Sequence, residues 1–298
     1  MSRPKRATPD AGQELTRAFL QFAQEKRADL VGIAPVERFQ DVPAAHHPQS
    51  IYPEVRSIIA VGKRITRGTL RGVEEGTQFD LYGQYGMAWL ADRMLAITTI
   101  ALATFLEDQR WEAVPIQDLP PQVPPSGVAV KPGLPPPNVM LDVREAAVRA
   151  GLGEFGWCGE VLTPQFGPRQ RFQLILTDAI LTPTPLCATA VCDRCGQCAK
   201  TCPLGAIPTD RGSKVSICGK EMAVAEVDYS LCRKCRNGAT PNPNHPAGLP
   251  DRLAALCVRT CVHHLDQAGL VENRFQTPFR KRAAWQTDQA GRTSLQGK

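Results

Sequence analysis

No stretch of the 298 residues is apolar over the length of a bilayer. The longest, Met94 to Leu106, has 13 residues and follows Asp92 and Arg93. A spanning helix needs about 20, so the sequence predicts a protein that stays out of the membrane. MSRPKRATPD at the N-terminus has basic residues but no apolar segment behind them and no twin-arginine pair. Without a readable signal peptide the expected location is cytoplasmic. Phosphate-binding signatures are missing too. There is no G-x-x-x-x-G-K-[ST], and the nearest approach to G-x-G-x-x-G, Gly151 to Gly156, follows a helical segment and lacks a suitably spaced acidic partner. These absences argue against a P-loop enzyme and a Rossmann dinucleotide enzyme.

What is present describes a folded chain. Hydrophobic residues make up 43%, near the globular average, which excludes a mostly disordered polypeptide. At about 150 residues per domain the length allows one or two domains. The net charge of +6 is concentrated at the ends, in Arg3, Lys5 and Arg6 and again in Arg274, Arg280, Lys281, Arg282, Arg292 and Lys298. Segments 1–10 and 268–298 therefore read as basic tails, solvated ends more often than nucleic-acid arms.

Between the tails the pattern alternates. Residues 11–28 carry Leu15, Ala18, Phe19, Phe22 and Ala23 at helical spacing. ADLVGIAPV (28–36) and SIIAVGKRI (57–65) read as buried strands. MAWLADRMLAITTIALATFL (87–106) is apolar almost all round, which predicts a helix buried in a domain. A strand is expected near Trp111–Ile116. Nine prolines in the 23 positions from Pro115 to Pro137 exclude helix or central strand there. A helix (143–150), a Gly-rich turn and a strand, RFQLILTD (171–178), follow. The expected division is 11–186 for one domain and 187–267 for another.

Nine of the 11 cysteines lie between Cys192 and Cys261. The first group is Cys192-x2-Cys195-x2-Cys198-x3-Cys202-Pro203. This is the bacterial ferredoxin spacing, in which three thiolates wrap one cubane and the fourth cysteine ligates the other cluster. Zinc sites use two pairs of ligands instead, and a disulfide framework needs an oxidising compartment. The second group is irregular: Cys218, Cys232-x2-Cys235, then Cys257-x3-Cys261. Exchange of ligands assigns Cys192, Cys195, Cys198 and Cys261 to one 4Fe-4S cluster. Cys202, Cys232, Cys235 and Cys257 take the other, with Cys218 spare. Cys158 and Cys187 lie outside both groups and read as buried structural cysteines.

The stretch AGLGEFGWCGEVLTPQFGPRQRFQLILTDAILTPTPL (150–186), followed by VCDRCGQCAKTCPLGAI, resembles the cobalamin-dependent reductive dehalogenases. It is also similar to the related epoxyqueuosine reductases, which act on a tRNA base. The Gly153-Glu154-x-Gly156 and Phe166-Gly167-Pro168-Arg169 pieces are closer to the dehalogenases. The likeness implies an α/β (α+β) fold, with a nitroreductase-like cobalamin-binding domain and a C-terminal ferredoxin-like double-cluster domain. It also implies electrons passed through two 4Fe-4S clusters to a cobalamin that cleaves a carbon–halogen or carbon–oxygen bond. Gly151, Gly153, Gly156, Gly159 and Gly167 are the candidates for a close backbone cradle around the corrinoid. Tyr85, with Tyr82 as alternate, stands where the family places a proton donor, and Arg144 or Arg169 is the candidate acidifying cation. His46 and His47 read as surface-loop residues.

Departures from the pattern leave other readings open. The segment LPPPNVMLD holds Asp142 out of register with the acidic donor of epoxyqueuosine reductases, and the chain ends 37 residues after Cys261. Both weaken a tRNA substrate, so nucleic acid is not the favoured partner. A small molecule is expected as substrate, with reduced ferredoxin or flavodoxin as donor. The alternatives are a ferredoxin-type electron carrier without cobalamin and an epoxyqueuosine reductase-like tRNA modification.

Overall fold

The computed structural model describes residues 9–296. The chain forms two compact units that exchange segments along the sequence. The first contains the residues before Arg64 with Arg93–Gly151 and Phe172–Leu186; the second contains Arg64–Asp92, Leu152–Arg171 and the chain from Cys187 onward. The expected boundary at 186/187 is therefore incomplete. The second unit draws in earlier segments because Ile65, Leu70, Val73 and Tyr82 share one apolar cluster with Ala254, Val262 and Phe279.

The first unit is built on a four-stranded sheet, in the order Leu30–Pro35, Ser57–Arg64, Gln170–Thr177, Ala113–Ile116. The first two strands pair antiparallel with Ile33 opposite Ile59, and the last two pair antiparallel with Val114 opposite Leu176. Ser57–Arg64 is buried through its first six residues, as its unbroken aliphatic run requires of an inner strand. Pro115 lies in Ala113–Ile116, an edge strand, where a missing N–H is tolerated. The helix Pro9–Glu25 buries Phe19 and Ala23 in this core, and its Phe22 stacks on Phe105 at 4.9 Å between ring centroids.

A helix from Asp80 to Asp108 replaces the shorter one expected at 87–106. Among the described residues it alone is long and apolar enough to cross a bilayer, a length and composition that core helices of soluble proteins share. It is not buried all round. Leu95, Leu102 and Leu106 enter the core, whereas Met94, Ile97 and Ile100 face outward, Ile97 with 70% of its surface exposed. Periodicity could not reveal that, since both faces carry apolar residues.

The second unit contains an antiparallel hairpin, Gly212–Ile217 with Lys220–Ala225, closed by Cys218 and Gly219, both at positive φ. That two-residue, left-handed turn suits the twist of a hairpin. The helix Leu256–Gln267 supplies much of the unit's centre.

The segment expected as a basic C-terminal tail is folded instead. Phe279 is fully buried, Arg280 donates from Nε to Glu74 Oε1 at 2.6 Å, and Trp285 donates from Nε1 to the Val73 carbonyl at 2.8 Å. Trp285–Thr287 then pairs antiparallel with Thr293–Leu295. Arg280, Arg282 and Arg292 pair with Glu74, Glu75 and Asp288, which a charge count cannot see. The expected N-terminal tail, 1–10, lies almost entirely outside the described residues.

Candidate metal centre

Two cavities in the second unit collect the cysteines. The first, about 350 Å³, is lined by Cys192, Cys195, Cys198 and Cys261 together with Cys158, Trp157 and His264. The second, about 330 Å³, is lined by Cys202, Cys232, Cys235 and Cys257 with Asn237 and Arg252. The structure thus brings together both sets of four thiols that the ferredoxin exchange pattern nominates. Cys218 lies at the hairpin turn and lines neither cavity. Cys187 is half-buried, its Sγ 3.6 Å from the Thr189 carbonyl.

Local backbone explains the convergence at the first cavity. Arg194 and Gly196 both take positive φ, so the loop curls and turns successive groups toward one centre. Glu154 fastens the start of this loop. Its Oε1 accepts from the Val191 and Cys192 N–H groups at 2.7 and 2.8 Å, and Lys220 Nζ is 2.9 Å from its Oε2. At the rim, Asp193 Oδ2 and His264 Nε2 are 2.6 Å apart, while Asp193 Oδ1 accepts from the Cys195 N–H at 3.2 Å.

Each cavity also presents N–H donors to sulfur. Trp157 N–H points at Cys192 Sγ (3.4 Å), Ala206 N–H at Cys202 Sγ (3.3 Å) and Asn237 N–H at Cys235 Sγ (3.4 Å). Such donors stabilise thiolate and set the potential of a cluster. Asn237 is wholly buried, and its side chain also ties Thr287 in place through that residue's N–H (2.6 Å) and carbonyl (2.9 Å).

Arg252 joins the two cavities. It is 2% exposed, and its Nη2 meets Glu160 Oε1 at 2.7 Å and the Cys158 carbonyl at 2.8 Å. Its Nη1 is buried without a hydrogen-bond partner, although the side chain lines the second cavity. A buried guanidinium nitrogen without an acceptor is costly. An anionic cluster held by Cys232 and Cys257 would provide that acceptor. Burial pushes the Cys192, Cys195 and Cys257 thiols up, and Cys232 to about 11. A metal bound by these thiols would displace their protons. The donor set fits two 4Fe-4S clusters.

The glycines proposed as a corrinoid cradle do not fit that role. A Cβ at Gly151 would stand 2.1 Å from the Pro185 carbonyl oxygen, and one at Gly153 2.1 Å from that of Leu162. Gly156 packs on Leu162, Gly159 near Arg252 and Tyr229, and Gly167 on Leu265. At Gly151, Gly153, Gly156 and Gly167 the space a side chain would take is already filled by the protein itself, whereas at Gly159 it is not. Gly153→Ala is accordingly expected to destabilise the chain by about 3 kcal/mol through backbone overpacking. Urea unfolding checks this, and an unchanged midpoint would show that the turn yields freely.

The proton-donor candidates separate. Tyr82 is 2% exposed; its hydroxyl donates to Asp251 Oδ1 at 2.6 Å and accepts from Arg171 Nη2 at 3.0 Å. Burial, then the Asp251 carboxylate, pushes its pKa well above the usual value, opposite to an acidified donor. Tyr85 is 45% exposed and meets Trp89 edge-on at 5.1 Å. Both tyrosines belong to the second unit, Arg144 to the first. Arg144 follows the helix cap Asp142 and lies 3.7 Å from its Oδ2. The cation that meets Tyr82 is Arg171, which also ion-pairs with Asp251.

Arg169 is buried and donates to the Ile65 carbonyl (2.7 Å) and Asn273 Oδ1 (2.8 Å); burial lowers its pKa to about 10. His46 Nδ1 lies 2.8 Å from the Met140 carbonyl, and His47 Nδ1 accepts from the Gln49 N–H, capping Pro48–Ile51.

No family model matches the chain. A tetrachloroethene reductive dehalogenase of Dehalobacter restrictus is 39% identical over 87 residues, which are 28% of this chain and 16% of that protein. A second, from Sulfurospirillum multivorans, is 39% identical over 64 residues, 20% of this chain and 13% of that protein. A solved reductive dehalogenase, described as performing B12-dependent dehalogenation, aligns with 98% of this chain and 42% of its own at 16% identity and a TM-score of 0.54. The matched sequence is therefore under a fifth of the curated relatives' length, and the chain covers less than half of the solved structure. The fold of a mixed helix-and-strand dehalogenase extends over nearly all of the chain, and the likeness to the reductive dehalogenase superfamily read from the sequence holds.

Proposed function

We propose that the chain is an iron–sulfur oxidoreductase of reductive type, holding two 4Fe-4S clusters that serve a carbon–halogen or carbon–oxygen bond cleavage on a small molecule. The carrying observation is the pair of cysteine-lined cavities that divide the thiols by the exchange pattern, Cys202 leaving the first run for the second cavity and Cys261 returning to the first. When bound, such clusters supply single-electron transfer. The chain's own residues hold and shield the site. Trp157, Ala206 and Asn237 donate N–H bonds to the ligand sulfurs, Arg252 sets a buried positive charge at the second cavity, and Trp157, Leu162 and Leu265 give the first its apolar wall. Reduced ferredoxin or flavodoxin in the cytoplasm is the proposed donor.

A corrinoid acceptor follows from the likeness alone, and the packing around the five glycines adds no support for one. That favours a second reading, an electron-transfer protein without cobalamin. Anaerobic reconstitution with iron, sulfide and hydroxocobalamin, followed by gel filtration and metal analysis, separates the two. About eight irons per chain are expected for two cubanes. Cobalt co-eluting at one per chain assigns the reductase reading; iron without cobalt assigns the electron carrier. Bound zinc with no labile sulfide would overturn both.

A further inference from the structure

Five thiols, not four, line the first cavity. The fifth, Cys158, sits on the Gly-rich turn, is 2% exposed, lines the same cavity as Cys198 and Cys261, and packs in one buried cluster with Cys198. A 4Fe-4S cluster takes four thiolates, so one of the five is surplus at any moment. The loop carrying Cys192, Cys195 and Cys198 occupies three corners. Two thiols from different elements then face the fourth: Cys261 from the helix Leu256–Gln267 and Cys158 from the turn.

We propose that Cys158 is an alternative ligand for the fourth iron of the first cluster, able to take it in place of Cys261. This rests on the reading of the first cavity as a cluster site. The turn is tied to both cavities on either side of Cys158. Its own carbonyl accepts from Arg252, which lines the second, and the preceding Trp157 N–H points at Cys192 Sγ in the first. Cys158 is thus held against the ligands and does not drift as a loop residue would. The sequence offers a reason for redundancy at this corner, because Cys261 is followed by Val262 where the second cysteine run of a ferredoxin has proline. The exchange needs no redox step. The Cys158 thiol gives up its proton as its sulfur bonds iron, and the departing Cys261 thiolate takes a proton up.

The test uses the full chain, reconstituted anaerobically, as wild type, Cys158→Ala, Cys261→Ala and the double variant. Iron and labile sulfide per chain are measured with the electron paramagnetic resonance spectrum of the reduced protein. Both single variants are expected to keep about eight irons, whereas the double variant falls to about half. The iron of the second cavity reports that each variant is folded, and Cys261→Ser repeats the comparison with the volume kept. The proposal is overturned if Cys261→Ala and Cys261→Ser each lose as much iron as the double variant, or fail to fold where Cys158→Ala folds. It is equally overturned if Cys158→Ala alone halves the iron, because Cys158 would then be an obligatory ligand. A wild-type protein with iron in the second cavity only would defeat the cluster reading of the first cavity, a result distinct from either of these.

Discussion

Glu74→Ala is expected to remove about 3–5 kcal/mol of stability, the cost of breaking a buried ion pair from one side. That is comparable to the whole stability of many domains. Glu74 accepts from Arg259 Nε at 2.8 Å and from Arg280 Nε at 2.6 Å, and Arg259 is completely buried. The Nη2 of Arg259 already lacks a hydrogen-bond partner. Removing the carboxylate would leave two guanidinium groups facing each other away from water. Burial alone would raise the Glu74 pKa, but Arg280 and Arg259 outweigh it and hold the pKa below its usual 4.5. The sign follows from that direction. Its contribution is complete above the unfolded value and is lost as pH falls through the lower, folded one. Urea melts at neutral pH should show the loss in Glu74→Ala, and the wild type should lose its advantage over the variant in acid. A penalty below about 1 kcal/mol would show that the arginines find water or other partners.

Arg252→Met is expected to lower the potential of the second cluster by about 100 mV. A unit charge several ångströms from the redox centre at an effective dielectric near 20 is worth about 2–3 kcal/mol, and about 59 mV corresponds to a tenfold change in a one-electron equilibrium. The direction follows from charge. A cation favours the more negative, reduced cluster. Glu160→Gln removes the opposite charge of the same ion pair, so the double variant Arg252→Met/Glu160→Gln is expected to leave the potential nearly unmoved. Arg252→Lys keeps the charge and should shift the potential far less. Redox titration followed by electron paramagnetic resonance reads both clusters, and potentials unmoved by Arg252→Met would remove Arg252 from electron handling.

The parts of the molecule legible in the sequence are those written locally. The strand Ser57–Arg64 announces itself as an aliphatic run, and Cys192 to Cys202 carry the spacing of a cubane loop. Even the exchange of Cys202 and Cys261 follows from that spacing, and the structure sets those thiols around the cavities it nominates. Illegible were contacts between distant positions. Arg259 finds Glu74 across 185 residues and Arg252 finds the Cys158 carbonyl across 94; nothing near either arginine signals its partner. Cys158 was set aside because it stands alone in sequence, and the fold places it among the other thiols. The C-terminal segment misled through its charge, although Phe279 and Trp285 were an available sign of packing. The glycines misled in another way. Close backbone approach is real at Gly151 and Gly153, where the approaching group is the protein's own carbonyl.

Cys257 and Cys261 stand four residues apart on one helix, yet one lines the second cavity and the other the first. Four residues of α-helix advance about 6 Å. The helix is therefore a ruler, and the interval between the two thiols that line separate cavities is built into its backbone hydrogen bonds. Inserting one residue between the two cysteines would turn the second by about 100° around the axis, away from its cavity. The spacing of the two cavities is in this sense a mechanical dimension of the polypeptide, carried by the rise of one helix.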